Sequence, residues 1–357
     1  MNIKIKKTDV DYQKLLLYKD YSMDVATIYN EFFENFIDKI SIYKNSKKPY
    51  SKKILELERI DIEDPYIKDL IKETEFNDII LLDNAKYLNN PYYKNIKIKN
   101  LKNKNLTLEY DTIKSNEAFI YKPIKTNENN YYIEINHLGY FNEDFKYIAL
   151  KENDITWMSI TPHEIESMKK DIDFATGNVL QVGLGLGYFT YMVSLKEDVK
   201  SITVIENNQD IIDLFTKNIL SQFKYKNKIT IINIDAIKHF NKMKTSYDYI
   251  FIDTYHNAVD GLEMYLRSKH LEKETLFSFW IEEEILALLR RYMISLIEEE
   301  INGSKDEDYK KIDSFDDHLI SDLHFYLKDY EVNSYQSIKD LLSDNNLKKI
   351  AKNLKNY

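Results

Sequence analysis

The chain has 357 residues, 43% of them hydrophobic, which is enough to bury a substantial core and long enough for two or more structural units. It contains no cysteine, so disulfides, thiolate metal sites and a cysteine nucleophile are excluded, and with no apolar run near eighteen residues neither a membrane span nor a signal peptide is expected. Lys and Arg number 50 against 59 Asp and Glu, a net charge of -9 with both signs interspersed, which argues against a nucleic-acid binder, and the lack of cysteine is compatible with the reducing cytoplasm expected as its location.

From about Asp11 to Lys44, Tyr21, Val25, Ile28, Phe32, Phe36 and Ile40 recur at three- and four-residue spacings, which predicts an amphipathic helix. A shorter helix is predicted over Pro65 to Thr74, capped by Asp64. From Tyr93 to Leu150 the runs YKNIKIK, LTLEY, EAFIY and YYIEIN predict a small antiparallel β unit, with KTNENN as a hairpin turn. The texture changes near Pro162, the last of the five prolines. There Thr161, Pro162 and Glu164 read as the cap, first-turn proline and first-turn acid of a plain helix start, while Trp157 belongs to either core or pocket wall. His163, Glu164 and Glu166 lack the paired spacing of a zinc helix, so no metal site is expected.

After Gly177 the alternation becomes regular. NVLQVG, SITVIE, KITIINID, YDYIFIDT and TLFSFWI read as strands of nearly continuous apolar residues, each followed by an amphipathic helix. That pattern predicts a doubly wound, mostly parallel α/β sheet covered on both faces. The three acids opening EEEILALLRRYM, Glu282 to Glu284, read as partners of a helix dipole. The polar tail holds helical pieces such as DDHLISDLHFYLKDY.

Between the first strand and helix of this half, VLQVGLGLGYFTYMVS holds Gly183, Gly185 and Gly187, three of the chain's seven glycines. Bare backbone there allows positive φ and close approach of a ligand, and a simple tight turn needs only one or two glycines. The spacing is G-x-G-x-G with Tyr188 where a dinucleotide fingerprint has its third glycine, and no Gly-Lys-Ser/Thr follows. Both facts argue against NAD, FAD and a nucleotide P-loop. An acid ending the next strand can accept hydrogen bonds from two ribose hydroxyls, and Glu206 lies 23 positions after Gly183.

VLQVGLGLG, ITVIE with Glu206, ITIINIDA with Asp235 and YDYIFIDT with Asp253 together resemble the motif series of the class I S-adenosylmethionine-dependent methyltransferases, over about Thr161 to Glu300. The resemblance implies a Rossmann-like domain with S-adenosylmethionine as cofactor. Gly183, Gly185 and Gly187 would cradle it, with Gln181 at a position that is often acidic in the family. Glu206 would meet the ribose, with Asn207 beside it in the cofactor-binding set, Asp235 and Ala236 the adenine, and Asp253 both cofactor and acceptor. The activity implied is in-line methyl transfer to an unidentified acceptor, a small molecule rather than nucleic acid, with Asp253 and His256 as candidate catalytic residues. A looser similarity to the spermidine synthase group implies aminopropyl transfer from decarboxylated S-adenosylmethionine as an alternative, and a non-catalytic protein binding an adenosyl ligand is a third. The expected units are a helical region over 1–90, a β-rich region over 91–155, the Rossmann-like domain over 156–300 and a helical tail over 301–357, with a homodimer left open.

Overall fold

The computed structural model describes residues 1–39, 48–76, 78–243, 246–272, 275–303 and 314–354; Ile40 and Lys44, at the end of the first expected helix, lie outside them. That helix spans Val10–Asn35 and starts where Asp9 accepts the N–H groups of Asp11 and Tyr12 at 3.1 and 3.0 Å. One face buries Tyr12, Leu15, Tyr21, Val25, Ile28 and Phe32. The helix Pro65–Glu73 is capped by Asp64, whose carboxylate accepts from Tyr66 and Ile67.

The strands in chain order are β1 (Asn2–Ile3), β2 (Ile80–Leu81), β3 (Leu101–Asn103), β4 (Leu106–Ile113), β5 (Ala118–Asn127), β6 (Ile133–Tyr140), β7 (Phe145–Glu152) and β8 (Ile155–Ser159). They continue as β9 (Gly177–Val182), β10 (Val199–Glu206), β11 (Ile229–Asn233), β12 (Tyr249–Ile252), β13 (Leu276–Phe279) and β14 (Glu331–Val332). The run YKNIKIK is not a strand. Asn90 accepts the N–H of Tyr92 at 2.9 Å and Pro91 takes the first helical position, so Pro91–Asn95 is a short helix. The β-rich region forms two sheets, β3-β4-β7-β8 and β2-β6-β5, with β5 and β6 antiparallel as a hairpin; of the expected turn KTNENN, Lys125, Thr126 and Asn127 still belong to β5, and the connection follows them. Strand β8 pairs antiparallel with β7, so the first of these sheets runs on to Ser159.

The second half is a five-stranded parallel sheet in the order β11-β10-β9-β12-β13. The chain leaves the central β9 toward β10 and β11, then crosses over to β12 and β13, so the order reverses beside β9. Open α/β sheets bind ligands at such a switch point, outside the carboxyl ends of the strands. The inner strands are nearly all apolar because helices cover both faces, as in β12, where all four residues are buried, whereas the edge strand β11 has no buried residue.

The tail belongs to the same body. Its helices Phe315–Leu327, Tyr335–Leu342 and Asp344–Asn353 bury Leu319, Leu323, Leu341 and Ile350, and β14 pairs with β1. The long helix Glu282–Asn302 ties the layers together. Its Arg290, 2% exposed, donates to the Leu342 carbonyl at 2.9 Å and pairs with Asp344, and its Arg291 pairs with Glu134 of β6. One hydrophobic core runs from Leu106 and Phe145 through Val182 and Phe251 to Leu296 and Leu347, and a smaller one lies under the first helix. No helix among the described residues is long and apolar enough to cross a membrane.

Candidate active site

A cavity of about 470 Å³ opens at the switch point. The glycine loop, Glu206, Asp235 and Asp253 line it from the parallel sheet, and Trp157 and Met158 of β8 line it from the antiparallel one. Gly183, Gly185 and Gly187 all have positive φ, at 94°, 53° and 71°. Their reasons differ. A Cβ on Gly183 would lie 1.7 Å from the carbonyl oxygen of Asp253, and one on Gly187 would lie 2.2 Å from Cε2 of the buried Phe215. Gly185 alone has room, with Met158 Sδ at 3.6 Å as the nearest atom. Two of the three glycines therefore serve close packing and one keeps the cavity floor bare. Leu184 and Leu186, between them, are 2% and 3% exposed.

The loop is braced from beneath. Gln181, 2% exposed, donates from Nε2 to the Gly183 carbonyl at 2.7 Å and accepts at Oε1 from the buried Thr190 hydroxyl at 2.5 Å. Its amide holds the loop's shape. Gln181→Glu, the acid often found at this position in the methyltransferases, would set a carboxylate oxygen against the Gly183 carbonyl. We expect a loss of about 3 kcal/mol in chemical denaturation at pH 8, and a smaller loss at pH 5 where a protonated carboxyl can again donate. A variant as stable as the parent at pH 8 would show that the amide is not the brace. Support also comes from the helix Pro91–Asn95, whose Tyr92 donates to the Leu186 carbonyl at 2.6 Å, with Asn90 donating to the Tyr188 hydroxyl at 2.9 Å.

Glu206 is turned toward the loop. Its two oxygens accept the N–H groups of Leu184 at 3.2 Å and Asn208 at 2.8 Å, which fixes the carboxylate while leaving each oxygen a further lone pair. Asn207, exposed, lines the cavity beside it. Asp235 caps the helix Ala236–Lys242 by accepting from Lys238 at 2.9 Å, and it lines the cavity together with the buried Ala236.

Asp253 follows β12 and its N–H donates to the Val182 carbonyl at 2.8 Å, which sets it against Gly183. Burial, and then the charge of Asp171, push its carboxyl up to about 7. Glu164, on the helix Pro162–Ser167, lines the same cavity and is pushed well above the usual carboxylate range by burial and then by Asp253. From the sequence it reads only as a first-turn acid. Thr161, expected to cap that helix, makes no side-chain capping bond. Both acids line the cavity, and neither the Glu164 nor the Asp253 carboxyl has a hydrogen-bond partner among the described residues.

His256 sits at the mouth. It is 56% exposed and its Nδ1 lies 3.4 Å from Asp260, one turn further along the chain. Tyr255, also in the cavity wall, donates to the Trp280 carbonyl at 2.5 Å, and Asn257 caps the helix Ala258–Lys269. Trp280, in the cavity wall, donates from Nε1 to Ser167 at 2.8 Å. Glu282 is more than a dipole partner: Tyr265, Lys269 and Lys348 all donate to it, and the two lysines hold its carboxyl low against the opposing effect of burial.

A parallel sheet in this order, with a glycine loop at its switch point and an acid ending the neighbouring strand, is a doubly wound, Rossmann-like arrangement. No family model matches the chain, and no curated protein matches it. Among solved structures it is similar to a protein assigned as an O-methyltransferase of Klebsiella pneumoniae, at 19% identity and a TM-score of 0.24, over 31% of this chain and 50% of that one. It is also similar to the spermidine synthase of Thermotoga maritima, at 16% identity and a TM-score of 0.30, over 49% of this chain and 69% of that one. The chain thus spans half the length of the first of these proteins.

Proposed function

We propose that the cavity binds S-adenosylmethionine and that the protein transfers its methyl group to a small-molecule amine or alcohol. The observation that carries this reading is the pairing of an open Gly185 with a fixed Glu206 carboxylate across one hollow, a cradle that a single Cβ would begin to fill. Glu206 would accept the two ribose hydroxyls, Asp235 and Ala236 would border the adenine, and the glycine loop would pass under the amino-acid end. The bound cofactor would supply an electrophilic methyl group on a sulfonium. Asp253 would take the acceptor's proton as the acceptor's lone pair bonds to the methyl carbon and the carbon–sulfur pair leaves with sulfur. An acid poised near 7 suits that task at neutral pH.

The Asp253 and Glu164 pair gives one specific reason to keep aminopropyl transfer as a second reading, since two buried carboxyls suit a cationic amine. Calorimetric titration with S-adenosylmethionine, its decarboxylated form and S-adenosylhomocysteine separates the two. Methyl transfer predicts binding of the first and third, and preference for the decarboxylated ligand would replace it with aminopropyl transfer. Glu206→Ala is expected to weaken S-adenosylhomocysteine at least about 100-fold, from the loss of two charge-assisted hydrogen bonds worth about 1.5–3 kcal/mol each. Unchanged affinity would remove the ribose from Glu206.

A further inference from the structure

A second cavity, of about 660 Å³, lies behind the first, along the outer edge of β13. The helix Pro162–Ser167 and the segment around Trp280 form the wall between them: Glu164 and Trp280 face the first cavity, Glu166, Ser278 and Ile281 the second. Seven lysines and six acids line it, but they are unequally paired. Lys122, Lys125, Lys170, Lys349 and Lys352 line it without a salt bridge among the described residues. Lys269 and Lys348 line it too, paired to Glu272 and Glu282. Of the other acids in the wall, Glu166 is paired to Lys86 and Asp344 to Arg290, both outside it, Asp171 is turned onto the hydroxyls of Tyr249 and Ser278, and the exposed Glu283 alone has neither a salt bridge nor such a partner among the described residues. A chain with a net charge of -9 has gathered unneutralised lysines around one hollow. His137 lies in the same wall, its basicity lowered first by burial and then by Lys122 and Lys125 against the opposing charges of Glu75 and Asp78.

The wall also carries two large apolar side chains open to solvent, Phe174 at 61% and Leu276 at 52% exposure. Single exposed apolar residues are ordinary, but an open aromatic face beside unpaired cations in a cavity of ligand size is a recognition pattern. We propose that this second cavity binds an organic polyanion with a flat apolar end, the chemistry of a nucleoside polyphosphate, with the lysines meeting the phosphates and Phe174 meeting the ring. The site is separate from the cofactor cavity and does not depend on the function proposed for it.

GTP is a suitable probe, because an adenine nucleotide could also enter the first cavity. In calorimetric titration of the full chain we expect saturable binding that weakens with added salt, and weaker binding of inorganic triphosphate at the same place. Lys349→Glu with Lys352→Glu, both exposed on the last helix, should weaken GTP at least tenfold, and Phe174→Ala should weaken GTP severalfold while leaving triphosphate unchanged. Should charge reversal impair folding, the Lys349→Gln and Lys352→Gln pair carries the same test. Glu206→Ala, in the first cavity, should bind GTP as the parent does. Absence of GTP binding at millimolar concentration, or binding that survives the lysine changes and is lost in Glu206→Ala, would overturn the proposal.

Discussion

Gly183→Ala is expected to lose about 4 kcal/mol or more, or not to fold, while Gly185→Ala loses only about 1 kcal/mol and fails instead at the cofactor. The difference lies in what a methyl group meets. At Gly183 it would lie 1.7 Å from a backbone carbonyl oxygen at the end of β12, and neither strand end can move without breaking the pairing of β9 with β12. At Gly185 the added cost is the left-handed backbone, since the nearest atom is at ordinary contact distance. That methyl would project into the cavity floor, so S-adenosylhomocysteine should bind at least about tenfold more weakly, the cost of a small steric misfit. Gly187→Ala should resemble Gly183→Ala in kind, because the ring it meets belongs to the fully buried Phe215. Denaturant midpoints and ligand titration of the three variants give both readouts. If Gly185→Ala bound ligand normally, or Gly183→Ala were as stable as the parent, the division of labour in the loop would be wrong.

That division shows where the sequence is legible and where it stops. The five strands of the parallel sheet and their helices can be read from local pattern because the inner strands β9 and β12 are buried on both faces and the helices on one, while the edge strand β11, with no buried residue, still shows as a β-branched run. Positive φ at all three glycines is legible for the same local reason. Which glycine faces a ligand is not, because the clashing partners, Asp253 and Phe215, come from β12 and from the helix Gln209–Asn218. Gln181 looks from the sequence like a neutral substitute for a cofactor ligand, and its partners, Gly183 and Thr190, appear only once the loop has closed over it.

The residues missed are of the same kind. Glu164 reads as a helix-start acid because Pro162 precedes it; that it enters the cavity beside Asp253 depends on how the helix packs against β5. The tyrosine anchoring the glycine loop, Tyr92, sits about ninety positions before it. Its helix was nonetheless signalled locally by Asn90 and Pro91, a cap and first-turn proline outweighed by the alternation that follows. In the tail, Ser314 with Asp317 and Ser334 with Ser337 form capping boxes that mark helix starts, but nothing local could say that β14 pairs with β1.

Asp253→Asn should remove turnover almost entirely while making the protein more stable at alkaline pH. Loss of a general base is expected to lower kcat by about 10²–10⁴-fold with little change in cofactor affinity, and in the parent kcat should rise with pH through about 7, following the Asp253 carboxyl. The stability effect needs no knowledge of the acceptor. An unfolded aspartate loses its proton near pH 4, whereas the folded one keeps it to about 7. Between these values the native state holds the extra proton, so the contribution of Asp253 is fully present below about pH 4 and is lost as pH rises through 7. At pH 8 the folded protein must bury the charge beside Glu164 and near Asp171. Asparagine has nothing to lose. The melting temperature of Asp253→Asn relative to the parent should therefore climb from pH 5 to pH 8, and a difference that stays flat across that range would mean that Asp253 is ionised in an ordinary solvated setting and has no tuned role as a base.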